Sequence, residues 1–360
     1  MKNRCSTIFK ITLLTLFSIF FTENGFTQAE EDPQYIYVCN QGSASVTVLN
    51  AATNEIFETV DLQELGFSAN AKPHHTIADA DGSHWYVTLI GENRVLKFNR
   101  NNELVDEATL KVPGLMTMHP SSERLYVGRS MSAVNPPQSF GVIDRANMEL
   151  LDEVGLFFTR PHAISTSPDG RWIFVGSLSE NQILTMNMET EESNLTNIPG
   201  STHTFVNFAI SPDGENMVAT GQVSGKLLFF DITDPLSPQM TGSISVGAQP
   251  WHPVFSPDGK KVYFANKQDH TVTVIDMESR SVEAVIEGEG LAQPHGAALS
   301  NDGKFLYVTS NNLDGMYNPR GAEETQGLPG TVTIINTETH TIEKVIEVGK
   351  YASGIGTNAR

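Results

Sequence analysis

Arg160-Pro161-His162-Ala163-Ile164-Ser165-Thr166-Ser167-Pro168-Asp169-Gly170-Arg171-Trp172-Ile173-Phe174-Val175 reads as strand, tight turn, strand, and the chain repeats it. Gln249-Pro250-Trp251-His252 leads to Ser256-Pro257-Asp258-Gly259 and then Val262-Tyr263-Phe264. Gln293-Pro294-His295 leads to Asn301-Asp302-Gly303 and Leu306-Tyr307-Val308, and Lys72-Pro73-His74-His75 leads through Asp81-Gly82 to Trp85-Tyr86-Val87. Self-similarity at a steady spacing marks a repeat architecture. The hearts of the second strands are Tyr37, Tyr86, Tyr126, Phe174, Val218, Tyr263 and Tyr307, at steps of 49, 40, 48, 44, 45 and 44 residues. Each is followed by an alternating, β-branched third strand ending at Asn50, Asn99, Asp144, Asn187, Asp231, Asp276 or Asn336. A more polar fourth strand follows, as in Ser281–Ile286. Four strands per repeat and a period in the forties predict an all-β, seven-bladed β-propeller with four-stranded antiparallel blades. The chain enters on a second strand at Tyr35 and leaves on a lone first strand, Tyr351–Gly356. That C-terminal strand is expected to join the N-terminal blade and close the ring, leaving no gap for edge pairing.

Residues 1–29 read as a secretory signal peptide. Lys2, Arg4 and Lys10 precede an uncharged run from Ile11 to Thr22, and Thr27-Gln28-Ala29 offers a small-residue cleavage site. The run is too short for a spanning helix, so a periplasmic or secreted mature chain, residues 30–360, is expected. It then holds one cysteine, Cys39, in a strand-like run, and no internal disulfide can form. The full chain carries a formal charge of −19. Without the leader (three cations and Glu23) the mature chain stands near −21. No basic cluster appears, which argues against nucleic acid and anionic membrane surfaces.

The connections between second and third strands are uneven. Tyr37 to Asn50 spans 13 residues, and four other blades match it; Tyr126 to Asp144 spans 18 and Tyr307 to Asn336 spans 29. The extra lengths, 129–139 and 311–330, are rich in Pro, Gly, Asn and Ser and read as loops. In an up-and-down blade they share a face with the entry into each first strand. Long loops in compact domains usually carry function.

That entry carries histidines. His74, His162 and His295 stand seven positions before the turn aspartates Asp81, Asp169 and Asp302; His75 and His252 stand six before Asp81 and Asp258. A ring of blades turns a shared position into a converging cluster. Five imidazoles at one channel mouth could bind copper, zinc or another transition metal, or merely cap strands. Lys72, Arg160, Gln249 and Gln293 precede the prolines, and two cations with two amides could hold an anionic or carbonyl-bearing ligand; Trp251 could be its stacking floor. His203 is a marginal addition; His84, His119, His270 and His340 read as structural. Asp79-Ala80-Asp81-Gly82 fails as a calcium loop because its twelfth position is Ile90. Gly221–Lys226 has no helix to serve as a phosphate loop, and there is no Gly-x-Ser-x-Gly elbow.

The tandem Ser-Pro-Asp-Gly turn, the Tyr-Val-type strand and the Val-x-Val-Ile-Asp strand resemble the YVTN-repeat β-propellers, a family close to the cytochrome cd1 nitrite reductase propeller. The likeness spans the mature chain. Blade three departs with His119-Pro120-Ser121-Ser122 at its turn, and blade five with Phe205-Val206-Asn207 at its entry. The resemblance implies the propeller fold. It also implies metal chemistry, since the cd1 propeller holds haem by histidine and the nitrous oxide reductase propeller holds a histidine-bound copper cluster. No Cys-x-x-Cys-His is present for covalent haem. Three functions are therefore expected in competition: a ligand- or metal-binding propeller, a protein- or envelope-binding module working through the two long loops, and a lactonase-like hydrolase.

Overall fold

The computed structural model describes residues 34–320 and 327–358. Residues 1–29, expected to be a leader, lie outside them. Twenty-eight strands, β1 to β28 in chain order, form seven four-stranded sheets. Among the described residues there is no helix, and none that could cross a membrane. The seven second-strand residues and the seven third-strand ends all fall where the repeat places them.

Ring closure follows the expected route. The sheet order of the first blade is β28 (Ala352–Thr357), β1 (Tyr35–Asn40), β2 (Ser45–Asn50), β3 (Glu55–Asp61). Val38 faces Ile355 and Tyr37 faces Gly356 across the antiparallel seam. Side chains lock it: Gln34 donates to Thr357 Oγ1 at 2.7 Å and to the Leu299 carbonyl at 3.2 Å, and Asn358 Oδ1 accepts from Tyr35 N–H. The closing strand can nestle beside β4 (Pro73–Ala78) only because it is glycine-rich. A Cβ on Gly354 would sit 2.0 Å from the His74 carbonyl oxygen.

The blades stack through alternating apolar faces. Trp85 lies between Tyr37 and Phe98, with ring centroids at 4.9 and 4.1 Å, and its indole N–H reaches Asn102. Cys39 is a free, fully buried thiol whose pKa burial pushes far up, as expected of an inert core residue. Asn40 and Asn266 occupy the same place in blades one and six. Each amide clamps two hydroxyls of the next strand, Ser45 and Thr47 or Thr271 and Thr273.

Turn chemistry explains one face of the disc. In blades four to seven the serines Ser167, Ser211, Ser256 and Ser300 donate to the aspartates Asp169, Asp213, Asp258 and Asp302 at 2.5–2.7 Å. Each serine oxygen also accepts a strand N–H, and a glycine of positive φ completes the turn. The opposite face holds the strand entries.

Candidate functional site

Each first strand begins the same way. Lys72, Val112, Arg160, Thr204, Gln249, Gln293 and Tyr351 all adopt left-handed backbone, with φ between 44° and 59°. None is glycine, asparagine or aspartate, so each carries a backbone cost of about 1–2 kcal/mol. Five are followed by proline: Pro73, Pro113, Pro161, Pro250 and Pro294. The ladder then slips, with register shifts at Pro73/His75, Pro113/Met116, Pro161/Ala163, Phe205/Phe208 and Pro294/Ala297. A bulge re-aims side chains that would alternate in a regular strand. Histidines six and seven positions before the turn aspartate therefore reach the same space.

The five histidines do come together. Ring centroids of His252 and His295 lie 5.2 Å apart, those of His74 and His162 6.2 Å, and those of His75 and His252 6.5 Å. Trp251 stacks beside them, 4.2 Å from His295 and 5.7 Å from His252. His74, His162, His252 and His295 are at most 7% exposed; His75 is half-buried.

Their hydrogen bonds are incomplete. Both ring nitrogens of His74, Nε2 of His162, Nε2 of His252, Nδ1 of His295 and the Trp251 indole nitrogen are buried without a partner. The partnered nitrogens define the open ones. His162 Nδ1 sits 2.9 Å from the Arg129 carbonyl oxygen, an acceptor. The nitrogen must therefore donate, leaving a lone pair on Nε2. His75 Nδ1 accepts the Met116 N–H at 3.2 Å, so its proton sits on Nε2 and it offers a donor. His252 Nδ1 accepts from the Asn207 amide NH2 at 3.2 Å, so in this arrangement its proton sits on Nε2.

All five rings are held neutral. Burial, then mutual repulsion with neighbouring imidazoles, lowers His74 to about 3 and His75 to about 4. Burial likewise lowers His162 to about 4, against its bond to the Arg129 carbonyl. His252 and His295 fall well below the ordinary histidine value, again first by burial. Neutral imidazole is the form that binds a metal. At metal–nitrogen distances of about 2.0–2.1 Å, two rings at a tetrahedral angle put their centroids about 5 Å apart. The His252–His295 pair has this spacing. Among the described residues, no three His, Cys, Asp or Glu side chains stand at chelating distance.

The pre-proline side chains separate. Arg160 donates to the Met131 carbonyl at 2.7 Å, and Gln293 Oε1 accepts the Leu313 N–H at 2.9 Å. Each thus pins one of the two long loops. Gln249 pairs with Gln268. Lys72 lines a cavity of about 400 Å³ with Gly42, Asn311, Leu313, Leu328 and Tyr351. His270 accepts the Gln293 N–H and lies 3.5 Å from Asp314, so it too anchors the blade-seven loop.

Two residues escaped the sequence reading. Lys267 Nζ lies 5.0 Å from the Trp251 ring and 5.7 Å from the Tyr351 ring. Burial pulls its ammonium down to about 8. Only its place after the second strand of a His-bearing blade could have flagged it. Met131, on the blade-three loop, packs against the apolar cluster that contains Val206 and Trp251. Val206, Trp251 and Gly114 hold the place that His74, His162 and His295 take in their blades, directly after the left-handed residue and its successor. On the turn face, a cleft lined by Asp79, His119, Glu123 and Arg145 has its charges spent internally: Arg145 binds Asp79 and the Ser122 carbonyl.

Comparison with known proteins agrees with this architecture. The profile of the family described as "Lactonase, 7-bladed beta-propeller" matches residues 24–235 and 107–340. The chain is similar in structure to hydrazine synthase of Kuenenia stuttgartiensis, with a TM-score of 0.62, 21% identity, and 79% of this chain and 89% of that chain covered. A functionally unknown protein from Desulfotomaculum acetoxidans DSM 771 superposes with a TM-score of 0.69 at 13% identity, over 89% of this chain and 98% of that one. At these identities the likeness speaks for the fold alone. No curated protein matches the chain.

Proposed function

Starting from a chain that belongs to the lactonase family of seven-bladed β-propellers, we propose that it binds a transition-metal ion among the histidines at the mouth of its axial channel. The observation that carries this reading is the set of unpartnered nitrogens on four buried, neutral imidazoles: His74, His162, His252 and His295. A buried polar atom without a partner costs about 1–3 kcal/mol. Four such rings in one space are a standing cost that a shared cation would remove. His162 Nε2 is the best-prepared ligand, since the Arg129 carbonyl orients its ring from behind. The other three rings must rotate to close on the same ion, and His252 must free the Nε2 lone pair, which it can do if the Asn207 amide turns its unpartnered oxygen toward Nδ1–H. An all-imidazole set suits copper or zinc. His75, a donor, would sit beside the ion and hydrogen-bond what it carries. The leader read in residues 1–29 supports a periplasmic or secreted setting.

Elemental analysis of protein purified from its native compartment tests the reading. About one equivalent of metal is expected, lost in the His162→Ala/His295→Ala double variant with the fold retained. Absence of metal in the native protein, or full content in the double variant, would overturn the site and leave the loop-borne binding module.

The family match favours a second reading, hydrolysis of a cyclic ester at the same mouth. Imidazoles lowered to about 3–4 are weak bases at neutral pH, so the group poised for proton transfer is Lys267, at about 8. A panel of γ- and δ-lactones assayed by proton release separates this from metal binding alone.

A further inference from the structure

We infer that the channel mouth carries an anion subsite beside the histidines, suited to a small carboxylate with an apolar tail. The cavity of about 400 Å³ beneath the blade-seven loop is lined by Lys72, Lys350, Tyr351, Leu313, Leu328 and Asn311. Lys72 and Lys350 come from different blades and bracket it. Tyr351 forms its inner wall and carries Lys267 on its ring, which in turn covers Trp251 at the edge of the imidazole cluster. None of the three lysines has an acidic partner among the described residues. In a chain with 42 acidic and 23 basic residues, two lysines lining one cavity and a third behind its Tyr351 wall, none with an acidic partner among the described residues, are a local reversal of the overall field. Such a reversal concentrates anions.

The walls set the ligand's other half. Leu313 and Leu328 are large apolar side chains left exposed at the cavity, 58% and 41%. With the tyrosine ring they offer a contact for a short hydrocarbon chain, while the ammonium groups hold the carboxylate. Lys267 adds charge at the inner end, where burial makes it release a proton more readily than an ordinary lysine. The subsite does not depend on metal occupancy, because none of its lining residues is one of the proposed ligands.

Hexanoate, with 1-hexanol as its uncharged match, tests this by calorimetric titration of the full protein. Hexanoate is expected to bind at least tenfold more tightly than hexanol, and to weaken as salt rises. The Lys72→Met/Lys350→Met double variant should lose that preference while unfolding at the wild-type urea midpoint. Equal binding of acid and alcohol, no measurable hexanoate binding at 10 mM, or an unchanged preference in the double variant would overturn the subsite. Metal content measured on the same samples keeps the two proposals apart: a metal-free protein that prefers hexanoate refutes only the ion site.

Discussion

Lowering the pH from 7.5 to 5 should destabilise this protein steeply, in a window set by the histidine cluster. An unfolded histidine titrates near 6.5. In the folded ring His74 stands at about 3, His75 and His162 at about 4, and His252 and His295 well below their ordinary value. All five shifts are depressions, so between pH 6.5 and about 4 the unfolded chain binds more protons than the native one. Stability must therefore be complete above 6.5 and fall as the pH drops. Each withheld proton is worth about 1.4 kcal/mol per pH unit, and five approach about 7 kcal/mol per unit. A typical net stability of about 5–15 kcal/mol would be spent within roughly two units. The depressed carboxylates act later: Asp302, held at about 2 chiefly by Lys304, loses its contribution only below the ordinary carboxylate range. Urea midpoints of the metal-free protein at pH 7.5, 6.5, 5.5 and 5.0, with proton uptake on unfolding measured at pH 5.0, check the account. A midpoint that stays flat to pH 5.0, or uptake below one proton, would mean that the rings protonate inside the native ring, and the neutral cluster would be refuted.

Two further substitutions probe the same architecture. In metal-free protein, His74→Leu removes a buried imidazole with two unpartnered nitrogens, so it should raise the urea midpoint at pH 7 by the equivalent of about 1 kcal/mol, against the usual sign for a core substitution; a clear loss of stability in that form would mean that His74 is satisfied without an ion. Gly354→Ala puts a methyl group 2.0 Å from the His74 carbonyl oxygen at the ring-closing strand and should cost about 3 kcal/mol, the upper end for overpacking, read as a lowered thermal midpoint, with an unchanged midpoint refuting the close approach.

Much of this molecule was legible because a repeat is redundant. A strand end such as Asp276 or Asn336 is weak evidence alone, but seven in register fix blade number and closure. The same redundancy located the histidines on one face. Sequence could not say whether positions six and seven would diverge, since that depends on the bulge after Pro73, Pro161 and Pro294, which leaves no residue signature. It did not foresee that Arg160 and Gln293 hold loop backbone, at the Met131 carbonyl and the Leu313 N–H. It missed Lys267 because a lysine in a minimal connection looks like solvent-facing charge; only the ring places it over Trp251.

The two faces of the disc differ in how their buried polar groups are satisfied. In the first-to-second strand turns, Ser167, Ser211, Ser256 and Ser300 satisfy strand N–H groups and aspartates together, and glycines take the left-handed positions, whereas Met148, Glu191, Arg280 and His340 take them in third-to-fourth strand turns of the same face. In the serine turns local preference and global fold agree. At the seven strand entries on the other face, non-glycine residues sit in left-handed backbone, and four buried imidazoles each keep at least one unpartnered nitrogen. Strain of this kind persists only where the surrounding structure over-determines it, and it gathers at functional sites. The strained backbone is common to all seven blades, so it belongs to the scaffold. The substituents on it differ: the second residue after the left-handed one is histidine in blades two, four and seven, tryptophan in six, glycine in three, valine in five and serine in one. A requirement of the fold would have repeated one side chain around the ring. Imidazoles and indole confined to four blades, with Met131 brought in on a lengthened loop to pack against Val206 and Trp251, are what a site for one asymmetric occupant requires.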